Sequence, residues 1–144
     1  MSYDPISQDP PNIDTEYPSK MMDVLFESHG VKLNGVMYVP PGADPHPTIL
    51  LLHGFPGHEN NVDLAQIFRR AGYTVMVFHY RGAWGSEGDF TFSHVLEDTE
   101  SALHFLRDSQ TIQHFNIDPE NIIVVGHSMG GWAALHMAGK GLVN

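Results

Sequence analysis

Ile122-Ile123-Val124-Val125-Gly126-His127-Ser128-Met129-Gly130-Gly131, continuing as Trp132-Ala133-Ala134-Leu135, is the stretch that decides how this chain folds. A β-branched apolar run, then Gly-x-Ser-x-Gly, then small and apolar residues reads as strand, tight turn and helix. In such a nucleophile elbow the apex residue, here Ser128, is forced into an unfavourable backbone conformation. Strand and helix run so close together that only glycine fits on either side, at Gly126 and Gly130. His127, beside the apex, is expected to pack rather than to react. The serine hydroxyl should stand at the carboxyl edge of a sheet, above a helix N-terminus whose free N–H groups favour negative charge. The competing reading is a Gly-Ser-rich turn that merely joins two elements. The buried strand before it and the small-residue helix after it favour the elbow.

Working outward, the segments before the elbow repeat the same alternation. Thr48-Ile49-Leu50-Leu51-Leu52 is a short continuous apolar run, the pattern of a strand buried on both faces. It enters the loop His53-Gly54-Phe55-Pro56-Gly57. A helix is predicted from about Asn61 to Ala71, with Leu64, Ile67, Phe68 and Ala71 on one face, Asn60 or Asn61 as cap and Gly72 as stop. Tyr73 to Tyr80 reads as the next buried strand, and residues 81–88 as a Gly-rich loop. A second helix is predicted over Ser93 to Arg107, with Val95, Leu96, Thr99, Ala102, Leu103 and Leu106 at helical spacing. Asp118-Pro119 then turns the chain into the elbow strand. Upstream, two alternating runs meet at His29-Gly30 and read as an antiparallel hairpin over residues 22–39. Residues 1–20, with Pro5, Pro10, Pro11 and Pro18 among acids, read as a flexible or loosely draped arm. The prediction is therefore an α/β domain over residues 21–144. It has a mostly parallel sheet, an N-terminal antiparallel hairpin and helices on both faces. Loops 53–57, 81–88 and 126–131 should gather at the carboxyl ends of the strands.

Composition narrows the function classes. A chain of 144 residues, 42% hydrophobic, with a formal net charge of −10 and only 7 Lys and Arg, suits a soluble domain and argues against a nucleic-acid surface. The absence of cysteine rules out disulfides, thiolate metal sites and a cysteine nucleophile. No apolar run approaches the roughly 18 residues of a membrane span, and no signal peptide is visible, so a cytoplasmic location is the expectation. Ten histidines raise the question of metal. His58-Glu59 begins like the zinc-helix pattern His-Glu-x-x-His, but Val62 stands where the second histidine must be, and no metal site is expected. Gly82, Gly85 and Gly88 do not form G-x-G-x-x-G, and no Gly-Lys-Ser/Thr exists, so no nucleotide cofactor is expected either. Glu97, Asp98 and Glu100 read as the solvated face of a helix.

The chemistry suggested is acyl transfer, which needs a nucleophile, a base and donors for the developing oxyanion. Ser128 is the candidate nucleophile. The Met129 N–H, at the helix N-terminus, is one candidate donor. The loop after the central strand should supply the second, and there Phe55 has a free N–H whereas Pro56 has none. Phe90, Phe92 and Trp84 either line a substrate mouth or simply pack beside the Gly-rich loop.

Strand-His-Gly-Phe-Pro-Gly, then Tyr80-Arg81-Gly82-x-x-Gly85-Ser86, then Gly-His-Ser-Met-Gly-Gly, in this order and spacing over about residues 22–139, resembles the α/β-hydrolase superfamily. The chain is similar to its serine esterase, lipase and peptidase-like members. In the middle motif, commonly Arg-Gly-x-Gly-x-Ser, Trp84 occupies the inner glycine position. The resemblance implies Ser128 as nucleophile, Phe55 and Met129 as oxyanion donors, an ester, thioester or short peptide substrate, and no cofactor. It also implies an acid and then a histidine far downstream of the serine. Sixteen residues follow Ser128, with no Asp or Glu and one histidine, His136, about 12 Å of helical rise away. His53 in the family is structural, and His79 and His127 are poor candidates for the base. The chain is therefore expected to be the N-terminal part of a larger hydrolase, incomplete at its C-terminal end and nearly inert alone. A bare edge on the elbow strand is expected to favour self-association. The alternative is a non-catalytic binding or interaction domain that keeps the fold without the triad.

Overall fold

The computed structural model describes residues 3–58 and 60–143. Strands β1 (Lys20–Ser28) and β2 (Val31–Val39) form an antiparallel hairpin, turned at His29 and Gly30, both with positive φ. Then come β3 (His46–Leu52), α1 (Val62–Arg70), β4 (Thr74–Phe78), α2 (Phe92–Arg107), α3 (Ser109–Phe115), β5 (Ile117–Gly126) and α4 (Met129–Gly139). One sheet holds the five strands in the order β1-β2-β4-β3-β5. β3 runs parallel to β4 and β5 on either side, and β2 joins antiparallel to β4. The N-terminal hairpin and the helices on both faces are as the sequence predicts, and the sheet, expected to be mostly parallel, is mixed, with two parallel and two antiparallel pairings. Ile49–Leu52 of β3 and Val75–Phe78 of β4 are apolar throughout because helices cover both faces. On one face α2, α3 and α4 pack over Met37, Leu50, Met76 and Phe78; on the other α1 lies over Ile49, Leu51, Val75 and Val77. β5 is an outer strand, with Ile123 43% exposed. Among the described residues no helix is long and apolar enough to cross a membrane.

Several elements depart from the sequence reading. In α1 the fully buried position is Ala65, with Ile67 and Phe68 half-buried and Leu64 exposed at 37%. The helix rests on the sheet through the Ala65/Phe68 pair, one turn apart, so the apolar stripe is rotated away from Leu64. Asn61 takes the N-cap position in the left-handed conformation, and its side chain makes no capping bond. Gly72, at φ +99°, ends the helix as expected. Helix α3 was not anticipated. It is seven residues long, too short for a full apolar period, and begins where the Asp108 carboxylate accepts from Gln110 N and Thr111 N. Asp118-Pro119 does not precede β5 but falls within it, as an irregularity. Ile117 pairs with His46 and Ile122 with Thr48, and the intervening residues loop out around the Asp118 carboxylate, which accepts from Glu120 N (3.1 Å) and Asn121 Nδ2 (2.6 Å). Residues 3–19 are irregular and drape over the C-terminal end of α1. There Arg70 Nε donates to Pro5 O (2.6 Å), Arg70 Nη2 to Ile6 O (3.0 Å) and Arg69 Nη2 to Asp9 Oδ1 (3.1 Å).

The largest correction concerns Asp98. It does not share the solvated face of α2 with Glu97 and Glu100 but is fully buried, 0% exposed. Its carboxylate accepts from Arg81 Nε (2.7 Å), Arg81 N (2.8 Å) and Ser28 Oγ (2.7 Å), while the Arg81 guanidinium also pairs with Glu97. Position 98 lies one turn beyond Val95 on the buried face, where a carboxylate persists only if fully paired. The pair clamps the start of the Gly-rich loop to α2 and, through Ser28, to the end of β1. Asp98→Ala should leave the Arg81 Nε and backbone N–H buried without their acceptor, with only the part-exposed Glu97 still on the guanidinium, and cost about 3–5 kcal/mol in urea unfolding. Ser28→Ala, which removes the hydroxyl that bonds Asp98 (2.7 Å) and Ser101 Oγ (3.0 Å), should cost about 1–3 kcal/mol. Equal and negligible losses would show that the network does not hold the fold.

Candidate active site

The elbow forms where β5 stops. Ser128 has φ 54° and ψ −117°, outside the regions open to ordinary residues. The crowding that holds it there is backbone on backbone. A Cβ on Gly126 would lie 2.2 Å from the Gly130 carbonyl oxygen, and one on Gly130 would lie 2.2 Å from the Leu52 carbonyl oxygen. His127 N donates to Leu52 O (3.1 Å), which ties the turn to the end of central strand β3. Met129 opens α4 and is buried, whereas Ser128 and His127 are exposed.

Loop 53–57 lies directly against this turn: a Cβ on Gly54 would be 3.2 Å from Ser128 Cβ and 3.3 Å from His127 Nδ1. His53 anchors the loop from below, 1% exposed. Its Nδ1 lies 2.8 Å from Gly54 O, its Nε2 lies 3.3 Å from His79 Nδ1, and its carbonyl accepts from the Tyr80 hydroxyl (3.1 Å). Burial pushes the His53 pKa below its ordinary value, partly offset by the bond to Gly54. Burial, and then the neighbouring His53, lower that of His79 to about 4. Burial also raises the Tyr80 hydroxyl well above its ordinary range, with Asp98 adding to the effect. All three groups are thus neutral at pH 7.

The third loop, 81–88, completes the edge. Gly82, at φ +73°, passes so close to residues 89–90 that a Cβ would meet Phe90 N at 2.4 Å. Trp84 has φ 43°, a conformation that glycine adopts freely, and it is fixed there by two bonds. Its Nε1 donates to Pro56 O (3.3 Å) and its carbonyl accepts from Asn34 Nδ2 (2.8 Å). Two hollows result. One, of about 280 Å³, lies among His53, Phe55, Pro56, Trp84, Phe90 and Met129. The other, of about 470 Å³, is lined by Phe55, Phe92, Ser128, Met129 and Trp132. Phe55 is 60% exposed and its ring meets those of Phe90 (5.3 Å) and Phe92 (6.0 Å). Of the three aromatics weighed in the sequence, Phe92 shares the larger hollow with Ser128, whereas Phe90 and Trp84 line the smaller one.

The structure thus brings Ser128, Met129, Phe55, Gly126, His127 and Gly130 to one point. Among the described residues no histidine hydrogen-bonds the Ser128 hydroxyl, and His136 is exposed further along α4. Glu59 of the zinc-like His58-Glu59 pair lies outside the described residues; the His58 ring packs on Trp84 at 5.4 Å. Sequence reasoning missed the His53–His79 contact and the burial of Asp98. The first joins residues 26 positions apart through tertiary structure and leaves no local signal. The second had one, since Asp98 falls on the apolar stripe with Val95, Thr99 and Ala102.

A family model described as "Alpha/beta hydrolase family" matches residues 49–144, and the chain belongs to that family. The quorum-quenching protein AidA of Acinetobacter baumannii is 31% identical over 127 residues, covering 84% of this chain and 40% of AidA. Among solved structures, the alpha/beta hydrolase GrgF from Penicillium superposes with a TM-score of 0.71 at 21% identity, over 83% of this chain and 41% of its own. The Pyrococcus furiosus esterase Pf2001 gives 0.63 at 24% identity, over 90% of this chain and 53% of its own. The chain spans about 40% of the length of the curated relatives it matches.

Two outcomes follow from this geometry. Gly130→Ala forces a methyl group into the Leu52 carbonyl and should destabilise the fold by well over the roughly 0.5 kcal/mol of an ordinary surface change, as read by denaturant midpoint. An unchanged midpoint would mean the turn is not held by this contact. His53 and His79 are neutral when folded, whereas unfolded histidine titrates near pH 6.5. Between about pH 6.5 and 4 the unfolded chain therefore binds more protons, so their contribution is present above pH 6.5 and is lost as the pH falls toward 4. Stability measured from pH 7 to 5 should decline, and His79→Asn should make the decline shallower.

Proposed function

We propose that this chain carries the nucleophile, the oxyanion donors and the acyl-site walls of a serine hydrolase acting on ester, thioester or short peptide bonds. The observation that carries this reading is the strained Ser128 backbone, wedged between two glycines that admit no side chain. A chain needs no such turn merely to join a strand to a helix. Strain of this kind persists where it presents a side chain for chemistry.

On this reading Ser128 Oγ attacks the substrate carbonyl carbon while its proton passes to a histidine base. The carbonyl oxygen, now negative, is met by the Phe55 and Met129 N–H groups, aided by the N-terminus of α4. Collapse of the tetrahedral intermediate expels the alcohol, thiol or amine, which takes up the proton, and leaves an acyl-serine that water cleaves by the same steps. In this family the acid and histidine follow the serine in the chain. They are assigned here to the part of the relatives' length that these residues do not span. The walls favour an uncharged, apolar acyl or leaving group, since the described residues that line the hollow with Ser128 are Phe55, Phe92, Met129 and Trp132. The likeness to a protein named for quorum quenching puts small signal molecules into the substrate screen.

The test is hydrolysis of short p-nitrophenyl esters by the full-length natural protein and by its Ser128→Ala variant. Loss of turnover by about 10⁶-fold, as in a comparable triad, is expected. Turnover by the variant at the parent rate, or a natural full-length protein that neither turns over esters nor reacts with a fluorophosphonate at Ser128, would support the non-catalytic binding domain instead.

A further inference from the structure

His53 and His79 meet ring to ring beneath loop 53–57, and their hydrogen bonds admit one arrangement. The Gly54 carbonyl, 2.8 Å from His53 Nδ1, can only accept, so Nδ1 carries the proton. In a neutral ring Nε2 is then an acceptor, and the group 3.3 Å away, His79 Nδ1, must donate. The His53 ring has little room to turn. Gly57 faces it so closely that a Cβ there would lie 2.9 Å from His53 Cε1, and the Tyr80 ring lies tilted against it with centroids 4.7 Å apart. The His79 backbone is pinned as well: its N–H donates to Asn34 O (3.0 Å) and its carbonyl accepts from Ser86 Oγ (2.6 Å). The ionisable groups around the pair are Tyr80 and, beyond it, Asp98. Among the described residues no carboxylate hydrogen-bonds either ring.

The Gly54 carbonyl and the Phe55 N–H belong to one planar trans peptide, so they point in opposite directions. Holding that carbonyl on His53 aims the Phe55 N–H away from the ring. Gly54 in turn abuts Ser128. We propose that His79 is a positioning residue: by donating to His53 Nε2 it fixes the His53 tautomer, and through the Gly54 carbonyl it sets the peptide plane that presents the Phe55 N–H. This rests on the reading of the Phe55 N–H as an oxyanion donor.

The test begins without turnover. Long-range ¹H–¹⁵N spectra of histidine-labelled protein at pH 7 should show both rings protonated at Nδ1 and bare at Nε2. An Nε2–H form of either ring overturns the proposal. His79→Asn keeps an N–H donor near the position of Nδ1, whereas His79→Leu removes it. The Asn variant should retain the His53 tautomer and the Phe55 amide shift, and the Leu variant should lose both. In ester hydrolysis by the full-length protein the Leu variant should lose about 10² in kcat, with KM held, and the Asn variant should restore it. Equal losses in the two variants, or a loss with the His53 tautomer intact, would contradict the relay. If the parent protein hydrolyses no ester, the hydrolase reading fails while the tautomer and amide shift still decide the relay. If the Leu variant does not fold, the parent and Asn spectra decide it.

Discussion

Everything at the carboxyl edge of this sheet depends on how closely three pieces of backbone approach one another. Gly130 sits on the Leu52 carbonyl, Gly126 sits on the Gly130 carbonyl, and the His127 N–H closes onto Leu52 O. β3, the elbow and the first turn of α4 thereby become one rigid unit, and rigidity of this kind is what a reactive group needs. The same approach leaves Ser128 no relaxed conformation, so its strain is offset by the pairing of β3 with β5 and by the packing of α4. The position of the serine is a consequence of the sheet, not of the loop that contains it.

Around that unit the two neighbouring loops are held by buried polar groups rather than by apolar packing. Arg81 and Asp98 clamp loop 81–88 to α2, and the His53–His79 pair with Tyr80 holds loop 53–57 from beneath. Both devices are costly unless every partner is in place, and both tie loops that would otherwise be free to the rigid strands. Trp84 then bridges the two loops through Pro56 O, which closes one wall of the smaller hollow. The result is a serine on a fixed floor between apolar walls.

The strands, their order of direction and the elbow were legible in the sequence because each is written locally. The run 48–52 is apolar on both faces, the hairpin alternates with period two, and Gly126 and Gly130 bracket the serine. The stripe on α1 was misplaced because a small residue, Ala65, marks the closest contact and carries little hydrophobic signal. Helix α3 leaves no signal because seven residues show no period, and the Asp118-Pro119 turn signal marks a bulge inside β5 rather than its start. The site residues were placed by motif, but what orients them was hidden. Contacts such as His53 to His79 and Ser28 to Asp98 join positions 26 and 70 residues apart, and only the folded topology brings them together.

The most direct test is a structure of the natural full-length protein after reaction with an alkyl p-nitrophenyl phosphonate, which mimics the tetrahedral intermediate. The account predicts phosphorus bonded to Ser128 Oγ and its phosphoryl oxygen about 2.7–3.1 Å from the N–H groups of both Phe55 and Met129. An unmodified Ser128, or a phosphoryl oxygen turned away from both amides, would contradict it.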